Sequence, residues 1–223
     1  MNTTPSTKVQ VALDDTAAAE TVLALSTALA HELACELAVV YVESAASVSA
    51  AALSVTQVLP HAGSPWLPLR PDDVEQGFRS QAARLRQLTE RSAAHHALRW
   101  SLRVLRGSLA EAPTLLTGES TLLFLATAPP PGSPLARSVA PSRRQAVVAL
   151  ASDDGPPGSQ ALAAATRLAR ALGGVLQTWP PGPAADHWVR LAASSRPDVL
   201  VMARRAVGPG VLARLTYPVL LVG

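Results

Sequence analysis

KVQVALDDTAAAETVLALSTALAHELACELAVVYV, residues 8–42, decides the fold. Val9, Val11, Ala12 and Leu13 form a short apolar run ended by two acids, which predicts a buried strand over Lys8–Asp14. Apolar residues then recur at Val22, Leu23, Leu25, Leu29 and Leu33, the spacing of an amphipathic helix over Thr16–Glu36. Thr16 is placed to cap it, and Glu20 sits near the positive end of its dipole. Leu37–Val42 is a second apolar, β-branched run. Strand, helix and strand with short joins imply a parallel sheet with a right-handed crossover.

Working outward, residues 44–70 are small, polar or proline-rich without a period, and read as a long loop with a short helix at Ala50–Val58. Pro71-Asp72-Asp73 starts a helix reaching about Ala97, with sparse apolar positions at Val74, Phe78, Ala82, Leu85 and Leu88. Trp100–Leu105 alternates and has one buried face. Gly107 turns the chain into a short helix, Leu109–Leu116, and Thr121–Ala126 is a fourth strand. A Pro-rich connection over 128–144 leads to a fifth strand, Gln145–Leu150.

A partial repeat follows. VVALASDD (147–154) echoes QVALDD (10–15), and residues 158–179 echo the first helix and second strand. GPAADHWVRLAASSRPDVLVMA (182–203) echoes GSLAEAPTLLTGESTLLFLA (107–126), and the chain closes on TYPVLLVG (216–223). The second copy lacks the long helix and middle strand. The division is residues 1–144 and 145–223. Strand 145–150 can end the first copy, begin the second, or do both.

Composition narrows the function classes. Of 223 residues, 48% are apolar and 16% charged, which excludes disorder as the main state. Cys35 is the sole cysteine, so neither a disulfide framework nor a cysteine zinc cluster can form within the chain. No apolar run approaches the roughly 18 residues of a membrane helix. The start, MNTTPSTKVQVALDD, lacks the pattern of a secretory signal. A cytoplasmic protein without membrane insertion is expected. Residues 1–69 carry one base and six acids, whereas 70–150 carry eleven bases and six acids. Aromatics are 4%, and the Arg residues of 79–106 lie at helical spacing among acids and glutamines. Nucleic-acid binding, which wants a basic stripe with aromatic platforms, is not expected.

VALDDT (11–16), LRVLRGSLAEA (102–112), RPDVLVMA (196–203) and RLTYPVLLVG (214–223) resemble the universal stress protein family in its tandem form. The resemblance covers most of the chain apart from 44–70 and 128–144. It implies an α/β fold of open parallel sheets with helices on both faces, in two tandem units, five strands to a unit, the second truncated. It also implies pairing of units through their last strands. Some members bind ATP between the C-terminal ends of the strands, and others bind no nucleotide.

The resemblance implies a residue set for ATP. Asp14 matches the aspartate that ends the first strand, and Val40 and Val42 lie in the strand whose backbone surrounds adenine. Gly132-Ser133 aligns with the last element of a phosphate-binding loop. The glycine pair expected before it is absent, and Pro129-Pro130-Pro131 stand near its place. Proline has no N–H to offer a phosphate. In the second copy Ala151 stands where the aspartate would be, with Asp153 two residues on, and Arg204, Arg205, Gly208 and Gly210 follow its fourth strand without the full spacing. Both sites read as degenerate. The expectation is a regulatory or binding module, not an enzyme, with no cofactor and with a protein partner or a homodimer. The alternative is an ATP-binding switch or slow ATPase using Asp14, Val42, Gly132 and Ser133.

Other residues carry blander readings. Asp14 is either a ribose ligand or a cap for the following helix, with Asp15 and Thr16. His31, His95, His96 and His187 lack carboxylate or cysteine partners at ligand spacing, so no metal is expected. Cys35 reads as a small buried hydrophobe. Ser108 and Ser159 follow glycines without a nucleophile elbow. Trp66, in the Pro-rich loop, either anchors a partner or is buried by the loop folding back. Arg204-Arg205 either meets an anion or sits solvated at the rim of the sheet.

Overall fold

The computed structural model describes residues 8–223 apart from 54, 60–62, 64, 117–121, 127–144, 152–155, 181–184 and 213. β1 (Lys8–Leu13) is buried from Val9 onward, because it lies between two parallel neighbours and under helices on both faces. α1 (Ala19–Glu32) leads into β2 (Glu36–Ser44), which pairs with β1 in the register Val9↔Leu37 to Leu13↔Tyr41. α2 (Ala45–Ala51) precedes a two-residue hairpin, β3 (Gln57–Val58) and β4 (Leu67–Pro68). α3 (Pro71–Ala94), β5 (Trp100–Gly107), a 3-10 turn (Leu109–Glu111), α4 (Ala112–Leu115) and β6 (Leu122–Ala126) complete the first half. β7 (Val147–Ala151), α5 (Pro156–Ala171), β8 (Val175–Trp179), α6 (Ala185–Ser195), β9 (Val199–Ala203), α7 (Pro209–Leu212) and β10 (Val219–Val222) make the second.

One eight-stranded sheet runs β5-β2-β1-β6-β10-β9-β7-β8. Within each half of this sheet all pairs are parallel. The halves meet at a single antiparallel seam, β6 against β10, from Val219↔Leu125 to Val222↔Leu122. The C-terminal ends of the two sets of strands therefore open at opposite edges of the sheet. One face packs Val11, Leu13, Tyr41, Phe124, Val148 and Val201 beneath α1, α3 and α5. The other packs Ala12, Val40, Leu123, Ala149, Leu200 and Met202 beneath α4, α6 and α7.

The α/β reading stands, with helices on both faces of a mostly parallel sheet. Several details differ. The strand over 145–150, which the sequence left open to either copy, is β7, and it pairs with β8 and β9 in the second half. Among the described residues the first half has four strands in the large sheet, and β10 covers the edge a fifth would take. That edge is the fully buried run LLFLA, which needs a ladder partner. The Asp198 carboxylate of the RPDVLVMA motif accepts from the Val147 N–H at 2.7 Å, tying β9 to the start of β7. The short helix lies at Ala45–Ala51, ahead of the expected 50–58, because Ser44 caps it by accepting from the Ser47 N–H at 3.2 Å. α1 starts at Ala19 with no side-chain cap, not at Thr16. It ends at Glu32 because Ala34 turns left-handed (φ 49°), with Cys35 N–H bonded to the Ala30 carbonyl at 3.0 Å.

Candidate functional site

At the C-terminal ends of β1, β2 and β5 lies a cleft of about 270 Å³. Asp14 follows β1. Val42 and Ser44 end β2, Ala45 and Ala46 open α2, and Gly107, Ser108, Leu109 and Glu111 supply the third wall. The sheet makes this cleft because β2 continues past β1 in register with β5 to Ser44↔Gly107. Ser108 caps the 3-10 turn by accepting from the Ala110 N–H at 3.3 Å, which fixes the wall bearing Glu111.

Two carboxylates, Asp14 and Glu111, line the cleft, and among the described residues its lining holds no Lys, Arg or His. The pKa of Asp14 is raised, first by loss of solvation and further by neighbouring Asp15, against a backbone hydrogen bond that lowers it. Asp15 does the turn's local work, its Oδ1 accepting from the Ala17 N–H at 3.2 Å. Just outside, Arg106 pairs with Glu43 at 3.2 Å across β2 and β5. Beneath, the Tyr41 hydroxyl donates to Gln81 Oε1 of α3. Burial first, then Glu43, Asp14 and Asp15, push its pKa up to about 12.

The structure brings Asp14 and Val42 to the same cleft; Val40 is buried on the same face of β2. Gly132 and Ser133 lie outside the described residues, as do Pro129–Pro131, Asp153 and Gly182. Ser44, Glu111 and the backbone at Gly107 were not expected at the site. Their signal was present: Ser108 and Glu111 stand three apart, the pattern of a helix start, within a motif that carried the resemblance.

At the opposite edge, Ala151 ends β7 and is buried. Trp179, the last residue of β8, and Trp188 of α6 are buried in the same cluster with Tyr217. Arg204 is half-buried, and desolvation lowers its pKa, while Arg205 is exposed. Trp66 is 63% exposed, so the loop does not fold back over it. Cys35 is half-buried and its thiol pKa is raised, chiefly by burial. His31 and His96 meet ring to ring at 4.9 Å, yet no group of three or more ligating side chains occurs among the described residues. No helix among the described residues is long and apolar enough to cross a membrane.

No family model matches the sequence, and no curated protein matches it. A solved structure is similar in fold: a universal stress protein from Archaeoglobus fulgidus DSM 4304, 10% identical, with TM-score 0.52 over 95% of this chain and 95% of that one. The likeness runs through both halves of the sheet, so the chain shares the universal stress protein fold along nearly its whole length.

Proposed function

We propose that this chain is a universal-stress-type binding module with a degenerate nucleotide site, acting through contact with a protein partner and without enzymatic turnover. One observation carries the reading: the described lining of the cleft holds two carboxylates and no cation. Like charges facing a triphosphate in a partly desolvated cleft oppose its binding. The sequence beyond β6 adds three consecutive prolines without N–H groups where a phosphate cradle is wanted. Titration calorimetry with ATP, ADP and AMP is expected to show no saturable heat. Micromolar binding of any of them overturns the reading.

The placement of Asp14 and Val42 on one cleft favours a second reading, an ATP-dependent switch in which the Asp14 carboxylate accepts from ribose hydroxyls. Under that reading Asp14→Ala abolishes nucleotide binding. Binding that survives the substitution removes it.

A further inference from the structure

α1 and α5 pack on the same face of the sheet, over the β6–β10 seam, and leave a groove of about 310 Å³ between them. α1 stops at Glu32, and after Leu33 the chain turns left-handed at Ala34 and leaves for β2. α5 faces that end with Ala163 and Ala164, whose methyl groups do not fill the space. Leu122 and Val222, paired across the seam, line the groove as well. It lies at the edge of the sheet where β6 begins, away from the Asp14 cleft, and neither Ala151 nor Arg204 lines it.

The polar groups of the groove are Gln160 and Arg167. They stand two turns apart on α5, about 10 Å along its axis, with the alanines between them. Arg170, three residues on, is matched by Glu32 at 3.5 Å. Arg167 is exposed and makes no ion pair among the described residues, and no Asp or Glu among them lines the groove. Apolar walls with one unmatched cation at the end select by two features at once. Hydrocarbon displaces water from Leu33, Leu122, Ala163 and Val222. A single anion offsets Arg167, and the planar guanidinium matches a carboxylate through two parallel hydrogen bonds. A phosphate monoester brings about two charges to one cation, and a cationic amphiphile meets its own like charge.

We propose that this groove is a ligand site for a linear monocarboxylate, its chain lying along Ala163 and Ala164 and its carboxylate paired with Arg167. The site is separate from the Asp14 cleft and stands whichever way that cleft reads.

Titration calorimetry of the full chain with octanoate, a chain of similar reach, tests it. Saturable binding at one site is expected, with octanol weaker and octylammonium silent. Arg167→Gln is expected to weaken octanoate about fivefold, the upper end for an exposed ion pair. Ala163→Leu fills the groove from an exposed helix position and is expected to weaken it at least as much. Arg84→Gln, at an exposed arginine of α3, is expected to leave it unchanged. Because all three positions are exposed, unchanged circular dichroism is expected to accompany these effects. Absence of saturable heat from octanoate overturns the proposal, as does binding unaffected by Arg167→Gln or by Ala163→Leu. Octanol or octylammonium binding as tightly as octanoate overturns the role of the carboxylate. An Arg167-dependent dimer of the unliganded chain in sedimentation velocity overturns it in favour of a second copy. The nucleotide titrations are independent: bound ATP defeats the degenerate-site reading, and silence from octanoate defeats only this one.

Discussion

Ala34 and Ala97 hold left-handed backbone at the ends of α1 and α3, with φ of 49° and 51°. At each, the following N–H reaches back into the helix, Cys35 to the Ala30 carbonyl at 3.0 Å and Leu98 to the Ala93 carbonyl at 3.1 Å. α5 ends in the same way, but with Gly173 at the left-handed position (φ 58°). Glycine occupies this region without the steric cost a Cβ brings. Ala34→Gly and Ala97→Gly are each expected to stabilise the chain by about 0.5–1 kcal/mol in urea denaturation, the relieved clash exceeding glycine's added chain entropy. The same residues explain why the helical pattern runs past the observed end of α1 at Glu32: without a glycine, nothing in HELACE marks the turn.

Asp14 gives a pH prediction at the same scale. Its folded-state pKa lies above the ordinary 3.8, so the folded chain prefers the protonated carboxyl. That contribution to stability is complete below 3.8 and is lost as pH rises through the raised value. Asp14→Asn escapes the loss. Its urea midpoint is expected to match the wild type in acid and to exceed it at neutral pH. A variant less stable than the wild type at neutral pH would mean that a cation holds the carboxylate.

Among the long helices α1, α3 and α5, α3 is the most sparsely buried, with only Leu85, Thr89 and Ala93 buried over its 24 residues. Tyr41 anchors it, packing edge-on to Phe78 with centroids 6.4 Å apart and donating to Gln81. Tyr41→Phe leaves Gln81 Oε1 short of a donor and is expected to cost about 1–2 kcal/mol, read from the denaturant midpoint. The phenol's high pKa keeps this bond through neutral pH. Its contribution is present below the unfolded value near 10 and is lost only as pH passes about 12. The 3.6-residue period placed α3 to within a turn. It did not find the hairpin at 57–68, whose strands are two residues long and too short to show alternation.

For the molecule as a whole, the β6–β10 seam decides behaviour. α1 and α5 share one core beneath the sheet, and Phe124, Leu220 and Val222 lie in it from both sides of the seam. The two halves are therefore expected to unfold in a single calorimetric transition. Leu220→Ala is expected to lower the stability of both together by about 2–5 kcal/mol, through lost contacts and a cavity. Two separated transitions, with only one moved by the substitution, would show that the halves fold independently.

Hydrophobic period and strand-ending acids in the sequence were enough for the α/β class, because it depends on local pattern and on the fixed geometry of βαβ units, whereas the pairing of Asp14 with Val42 came from the resemblance to the universal stress protein family. Which half owns β7, what covers β6, and that Trp66 stays in solvent were decided only in three dimensions. Strand order and the partner of an apolar edge depend on contacts between residues far apart in the chain, and no local pattern encodes them.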